Sequence, residues 1–201
     1  MDEEILNTAI WIAGANWMLW RADFEHQGAV TQIPVLIDPQ RFGRFRKEYS
    51  LLKFRTDEFC EQLRTELCDA DEFGQAVVDP TGAELEELAS TLSQNYAAAN
   101  LGMQRSFLSK LAPFANPAIF APWDRFARLG LGFQLNNQMT YPQYLNAVNE
   151  FANGPEGTEI SGRLDEIDAY PTDNQDGFQR RVMDVYLMIR GGRWADQIVQ
   201  A

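Results

Sequence analysis

At 201 residues the chain has the length of one domain, and 45% hydrophobic with 12% aromatic content excludes a disordered or low-complexity protein. A formal charge of −12 argues against a surface that is basic throughout and grips nucleic acid indiscriminately. Asp2, Glu3 and Glu4 carry the wrong charge for a signal peptide, and the apolar run after them is short for a membrane span; the expectation is a soluble, cytoplasmic protein with no membrane partner.

In chain order, residues 5–20 read as a buried helix, hydrophobic on nearly every side. A loop with the sole histidine, His26, follows. Residues 30–37 are apolar but broken by Pro34, which predicts an edge strand or an ordered loop. From Pro39 the spacing of Phe42, Phe45, Tyr49 and Leu52 predicts a helix, with Arg41, Arg44 and Lys47 on another side. These cations are a candidate nucleic-acid-binding face. Thr56 offers an N-cap to a helix whose apolar stripe is Phe59, Leu63 and Leu67. Cys60 and Cys68 fall on that helix, roughly 12 Å apart along its axis and out of disulfide reach. With one histidine in the chain, no metal site is implied, and no cofactor.

Thr81 and Glu84 form a capping-box pattern that opens a helix with Leu85, Leu88, Leu92 and Tyr96 on one face, ending at Asn100-Leu101-Gly102. Thr140 and Gln143 repeat the pattern before Tyr144, Val148 and Phe151, and Gly154 closes that helix. After a polar loop comes a weak helix near residues 160–167. The last helix turns Phe178, Val182, Tyr186 and Ile189 inward and stops at Gly191-Gly192. The fold class is therefore all-α, a single domain over residues 1–201, built as one body or as two small lobes around a cleft near Lys110 and Asp124.

Residues 104–133 carry the chemistry. A short helix bears Lys110; Pro113, Pro117 and Pro122 then bar continuous helix and deliver Asp124 to the entrance of the next one. Such a connection can bring an amine and a carboxylate to one cleft. The pair suits cleavage of an N-glycosidic bond: the carboxylate stabilises the cationic sugar or activates water, and an amine of depressed pKa can instead attack the sugar carbon and form an imine. Asp124 also suits helix capping, a role compatible with remaining ionised. Arg105, Arg125 and Arg128 are candidate phosphate contacts, and Trp123 and Phe120 are candidate walls of a base pocket, aromatic rings that serve equally well as core.

The stretch SKLAPFANPAIFAPWDRFARLGLG resembles the active-site region of the helix-hairpin-helix DNA glycosylases, in particular small bacterial proteins of the 8-oxoguanine glycosylase fold. The likeness is direct over residues 101–151 and holds elsewhere by helix order. It implies a glycosylase-like multi-helix domain, with Lys110 at the lysine position and Asp124 at the aspartate position. The family's hairpin is rich in glycine, whereas here only Gly102 stands near it.

The resemblance implies a DNA glycosylase that flips out a base, modified or not, and excises it, with a role in defence against foreign DNA. Of the two routes, activated water with Lys110 as a positioning charge is the expectation. The rival is a catalytically inactive module of the same fold that binds nucleic acid, or a protein partner through its acidic surface.

Overall fold

The computed structural model describes residues 1–49, 51, 57–69, 71–95, 101–134, 138–167 and 174–194. Among them it is all-helical, with twelve α-helices and no strand. These are α1 (Glu3–Leu19), α2 (Arg21–Phe24), α3 (Pro34–Ile37), α4 (Pro39–Glu48), α5 (Asp57–Asp69), α6 (Asp71–Ala76), α7 (Ala83–Asn95), α8 (Leu101–Ala115), α9 (Arg125–Gly130), α10 (Tyr141–Asn153), α11 (Pro155–Asp165) and α12 (Gln175–Arg190). None is long and apolar enough to cross a membrane.

The axis of the fold is α12. It is buried on almost every side from Val182 to Ile189, with α1 and α9 packed against it. The approach of α9 is close because glycines remove side chains at the crossing. A Cβ on Gly130 would overlap the Leu187 carbonyl, and one on Gly191 would overlap the Phe126 carbonyl. In the same core, the rings of Trp17, Trp20, Phe24, Phe45 and Phe114 stack, tilt or meet edge-on and tie α1, α2 and α4 to α8.

Several boundaries differ from the sequence-based expectation. Residues 30–37 are helical: a 3-10 turn at Val30–Gln32, then α3, with Pro34 at its start, where the missing N–H has no ladder partner to lose. Pro113 lies inside α8, in its last turn, rather than ending it. Leu101 and Gly102 lie in α8 rather than closing the helix before it, and residues 96–100 lie outside the described residues. The capping of α7 is shared: Thr81 Oγ accepts from the Ala83 N–H at 3.2 Å, and the Asp79 carboxylate accepts from the Thr81 and Glu84 N–H groups at 3.0 and 3.1 Å. No polar loop precedes α11; it begins directly after Gly154. The first helix is apolar on nearly every side but not buried on every side, since Trp11 and Met18 are exposed. Leu52, Thr56 and Tyr96 lie outside the described residues. The Thr140–Gln143 capping box is present, with the Thr140 N–H donating to Gln143 Oε1 at 2.9 Å.

Candidate active site

The proline-punctuated segment between α8 and α9 has no ladder to satisfy its backbone, so side chains do it. Arg180 Nη2 donates to the Ile119 carbonyl at 3.0 Å, Tyr141 Oη to Ala121 at 2.8 Å and Tyr144 Oη to Pro122 at 2.9 Å. The Trp123 N–H donates to Ser109 Oγ at 2.9 Å. All four side chains are buried, where an unpaired backbone group would be expensive. Burial pushes the Tyr141 and Tyr144 phenols upward, which keeps them protonated donors. Helices far apart in sequence thus fix the path of the chain into Asp124.

Asp124 is the N-cap of α9; its Oδ1 accepts from the Phe126 N–H at 2.8 Å. Its other oxygen, Oδ2, faces Arg193 Nη1 at 3.3 Å. Arg193 arrives by a Schellman turn at the end of α12: Gly192 has φ +94°, the Gly192 N–H donates to Ile189 and the Arg193 N–H to Met188. The cap and the guanidinium hold the carboxylate in one orientation.

Lys110 and Asp124 line the same cleft, a cavity of about 240 Å³ shared with Asn16, Tyr49, Arg181 and Arg193. Its size is below the roughly 300–1,000 Å³ typical of drug-sized ligands and suits one small ring. Lys110 Nζ donates to the Tyr49 carbonyl at 3.0 Å. Burial lowers the pKa of this amine below the usual lysine range; Arg193 pushes the same way, and Asp124 and Asp184 push against it. Behind the cleft, Asp184 is 1% exposed and ion-paired with Arg181, while its Oδ1 has no hydrogen-bond partner. Burial raises the Asp184 carboxyl to about 6, reinforced by Asp124 and opposed by Arg181. Arg181 Nε also donates to Asn16 Oδ1 at 3.0 Å.

Arg105 sits between Glu86, to which its Nε donates at 2.6 Å, and the Met139 carbonyl, largely covered. Arg128 lies over the Trp123 ring at 4.5 Å and Arg105 over the same ring at 4.9 Å, so the indole meets two guanidinium groups. Trp123 and Phe120 are both core residues, and neither lines the cleft. Arg41 is paired with buried Asp23 and stacked on Trp20. Arg44 forms an exposed pair with Glu48 on α4. Arg125 and Lys47 are exposed.

Sequence reasoning missed Arg181, Asp184, Met188 and Arg193. The signal was available in part: Arg181, Asp184 and Met188 recur at i, i+3 and i+7 on α12, a second stripe beside the apolar one. Nothing in the sequence indicated that Arg193 turns back to Asp124. Among the described residues, no three His, Cys, Asp or Glu side chains are grouped to hold a metal ion. No family model matches the chain, and neither a curated protein nor a solved structure matches it significantly.

Proposed function

We propose that the chain is a DNA glycosylase that receives an extruded nucleotide in the cleft and breaks its N-glycosidic bond. One observation carries the reading: the Lys110 amine and the Asp124 carboxylate open into the same small cleft. Extrusion is required because the bond is out of reach inside a duplex.

In this reading Asp124 stabilises the positive charge that develops on the sugar as the base departs. Its orientation by the α9 N-terminus and Arg193 means that no rearrangement is needed when that charge appears. For the attacking group, the amine is favoured over the activated water expected from sequence. Lys110 is partly covered, its pKa is held down by burial, and its hydrogen bond to Tyr49 leaves the nitrogen lone pair available when the amine is neutral. The lone pair forms a bond to the anomeric carbon as the carbon–base bond breaks. The base leaves with the electron pair and takes up a proton, and loss of a proton from nitrogen with opening of the sugar ring gives the imine. The exposed cations Arg125, Arg44 and Lys47 are the phosphate contacts in this proposal, because Arg105 and Arg41 are committed to Glu86 and Asp23.

That commitment also favours the rival reading, a non-catalytic module of the same architecture, since it removes cations from a phosphate-binding surface. The test is incubation with duplex oligonucleotides that carry single modified bases, followed by alkali. Strand scission at the modified position is the expected result. Retention of the duplex by the protein with no alkali-labile site across the base panel would overturn the enzyme reading in favour of the module.

A further inference from the structure

Asn16 is a polar residue near the end of a largely apolar α1, and asparagine is a poor helix former. It is half-buried and lines the cleft of Lys110 and Asp124. Its amide can point only one way. Oδ1 accepts from Arg181 Nε at 3.0 Å and, more loosely, from Tyr49 Oη at 3.5 Å. A guanidinium has no acceptor, so an amide nitrogen turned toward Arg181 would meet a second donor. Arg181 is itself held by the ion pair with buried Asp184. Asn16 Nδ2 is thereby left without a hydrogen bond among the described residues. It is not one of the buried unpaired atoms, so it opens to the cleft.

The rest of the cleft is uneven in the same sense. Each carboxylate oxygen of Asp124 and Glu48 already accepts a hydrogen bond, from the Phe126 N–H, Arg193, Arg44 and Trp20. Arg181 Nη2 and Arg193 Nη2, by contrast, donate to nothing among the described residues. Arg193 is also fixed in place, over the Trp194 ring at 4.5 Å. The cleft therefore offers donors and has its acceptors occupied.

We propose that Asn16 selects the base in this cleft: Nδ2 donates to a ring carbonyl, so that carbonyl-edged bases are taken and amino-edged bases refused. The inference rests on reading the cleft as a nucleobase site, and it holds whether or not the bond is then cut. A cavity of about 240 Å³ suits a single ring, and among single-ring bases uracil carries a carbonyl where cytosine carries an amine. An amine brought to Nδ2 sets donor against donor and leaves both unpaired, the mismatch by which a polar site rejects a ligand of the same shape. A bare anion such as phosphate is disfavoured, because Ile12, Pro122, Met188 and Trp194 make much of the lining apolar.

NMR titration of the isotope-labelled chain with deoxyuridine or deoxycytidine tests the assignment. The readout is the Asn16 side-chain amide signal, identified by its loss in Asn16→Asp. Deoxyuridine should move that signal and bind about tenfold more tightly than deoxycytidine. Asn16→Asp keeps one oxygen for Arg181 and turns the other, an acceptor, to the cleft, so the order of the two nucleosides should reverse. An unchanged order in Asn16→Asp overturns the proposal, because a residue that only supports the fold would alter both affinities alike. Equal affinities in wild type overturn it too, as does an amide signal that neither nucleoside moves or that inorganic phosphate moves in their place. Base excision is scored separately by alkali-labile sites. A chain that prefers deoxyuridine but forms no such site keeps the Asn16 assignment and loses the glycosylase reading. A chain that excises bases without this preference does the reverse.

Discussion

Arg193 Nη1 lies 3.3 Å from Asp124 Oδ2, joining the turn that follows α12 to the N-cap of α9. The cap would survive replacement of the carboxylate by an amide; the negative charge would not. Asp124→Asn should therefore leave thermal stability nearly unchanged and lower base excision by about two to three orders of magnitude. Single-turnover excision within threefold of wild type would remove Asp124 from the mechanism.

An attacking amine leaves a trace. Wild-type protein incubated with substrate and borohydride should yield a covalent protein–DNA adduct, and Lys110→Ala should yield none. Because burial holds the Lys110 pKa below its ordinary range, the excision rate should rise with pH along a limb that lies below that range, as the amine loses its proton. Wild type that excises bases without a trappable adduct would restore the water route.

Gly130→Ala should destabilise the protein by about 1–3 kcal/mol, since its Cβ would overlap the Leu187 carbonyl, a backbone atom that cannot swing aside. Relief would require α9 to move off α12, carrying Asp124 with it, so excision should fall as well. Gly43→Ala is the control. No atom lies within 4 Å of its added Cβ at an exposed position of α4, and it should stabilise by about 0.5–1 kcal/mol. Chemical denaturation of both variants decides whether the crossing is as tight as described.

Asp184 should make stability pH-dependent. Burial raises its carboxyl from 3.8 to about 6, so the folded chain holds this proton more tightly than the unfolded chain. The stabilisation from this group is fully present below about pH 4 and is lost as pH rises through 6. Asp184→Asn keeps an oxygen for Arg181 and removes the titration. The variant should gain on wild type between pH 4 and 6, by on the order of 2–3 kcal/mol at most, and run parallel above that. Parallel curves throughout would mean that Asp184 is ionised over the whole range.

Two arginines from the same stretch should behave differently. Arg125→Ala should reduce the salt dependence of DNA binding by about one unit of slope with little change in stability. Arg105→Ala should leave the slope alone and lower stability by roughly 1–3 kcal/mol, because Glu86 would lose its partly buried partner and Trp123 one of its two guanidinium covers. Equal slopes for wild type and Arg125→Ala would move the DNA to another surface.

Local features of the chain were legible from its sequence because they depend on neighbours a few residues away. The inward stripes of Phe42 and Phe45, of Leu63 and Leu67, and of Phe178 and Val182 follow from helical period, and all are buried. Asp124 at a helix entrance follows from the preceding Pro122 and from the short polar side chain that a cap requires. Where a segment satisfied two local rules, sequence could not choose: Pro34 reads as a strand breaker or as a helix start, and the packing of Val35 and Leu36 into the core accompanies the helix. Tertiary structure alone decided the surroundings of the site. Tyr144 reaches Pro122, Lys110 reaches the Tyr49 carbonyl and Arg193 reaches Asp124 across long stretches of chain. Burial, which lowers the Lys110 pKa and raises that of Asp184, is a property of what packs around a group. A sequence specifies which groups can ionise; the fold sets the solvent each one sees, and with it the chemistry the group can perform.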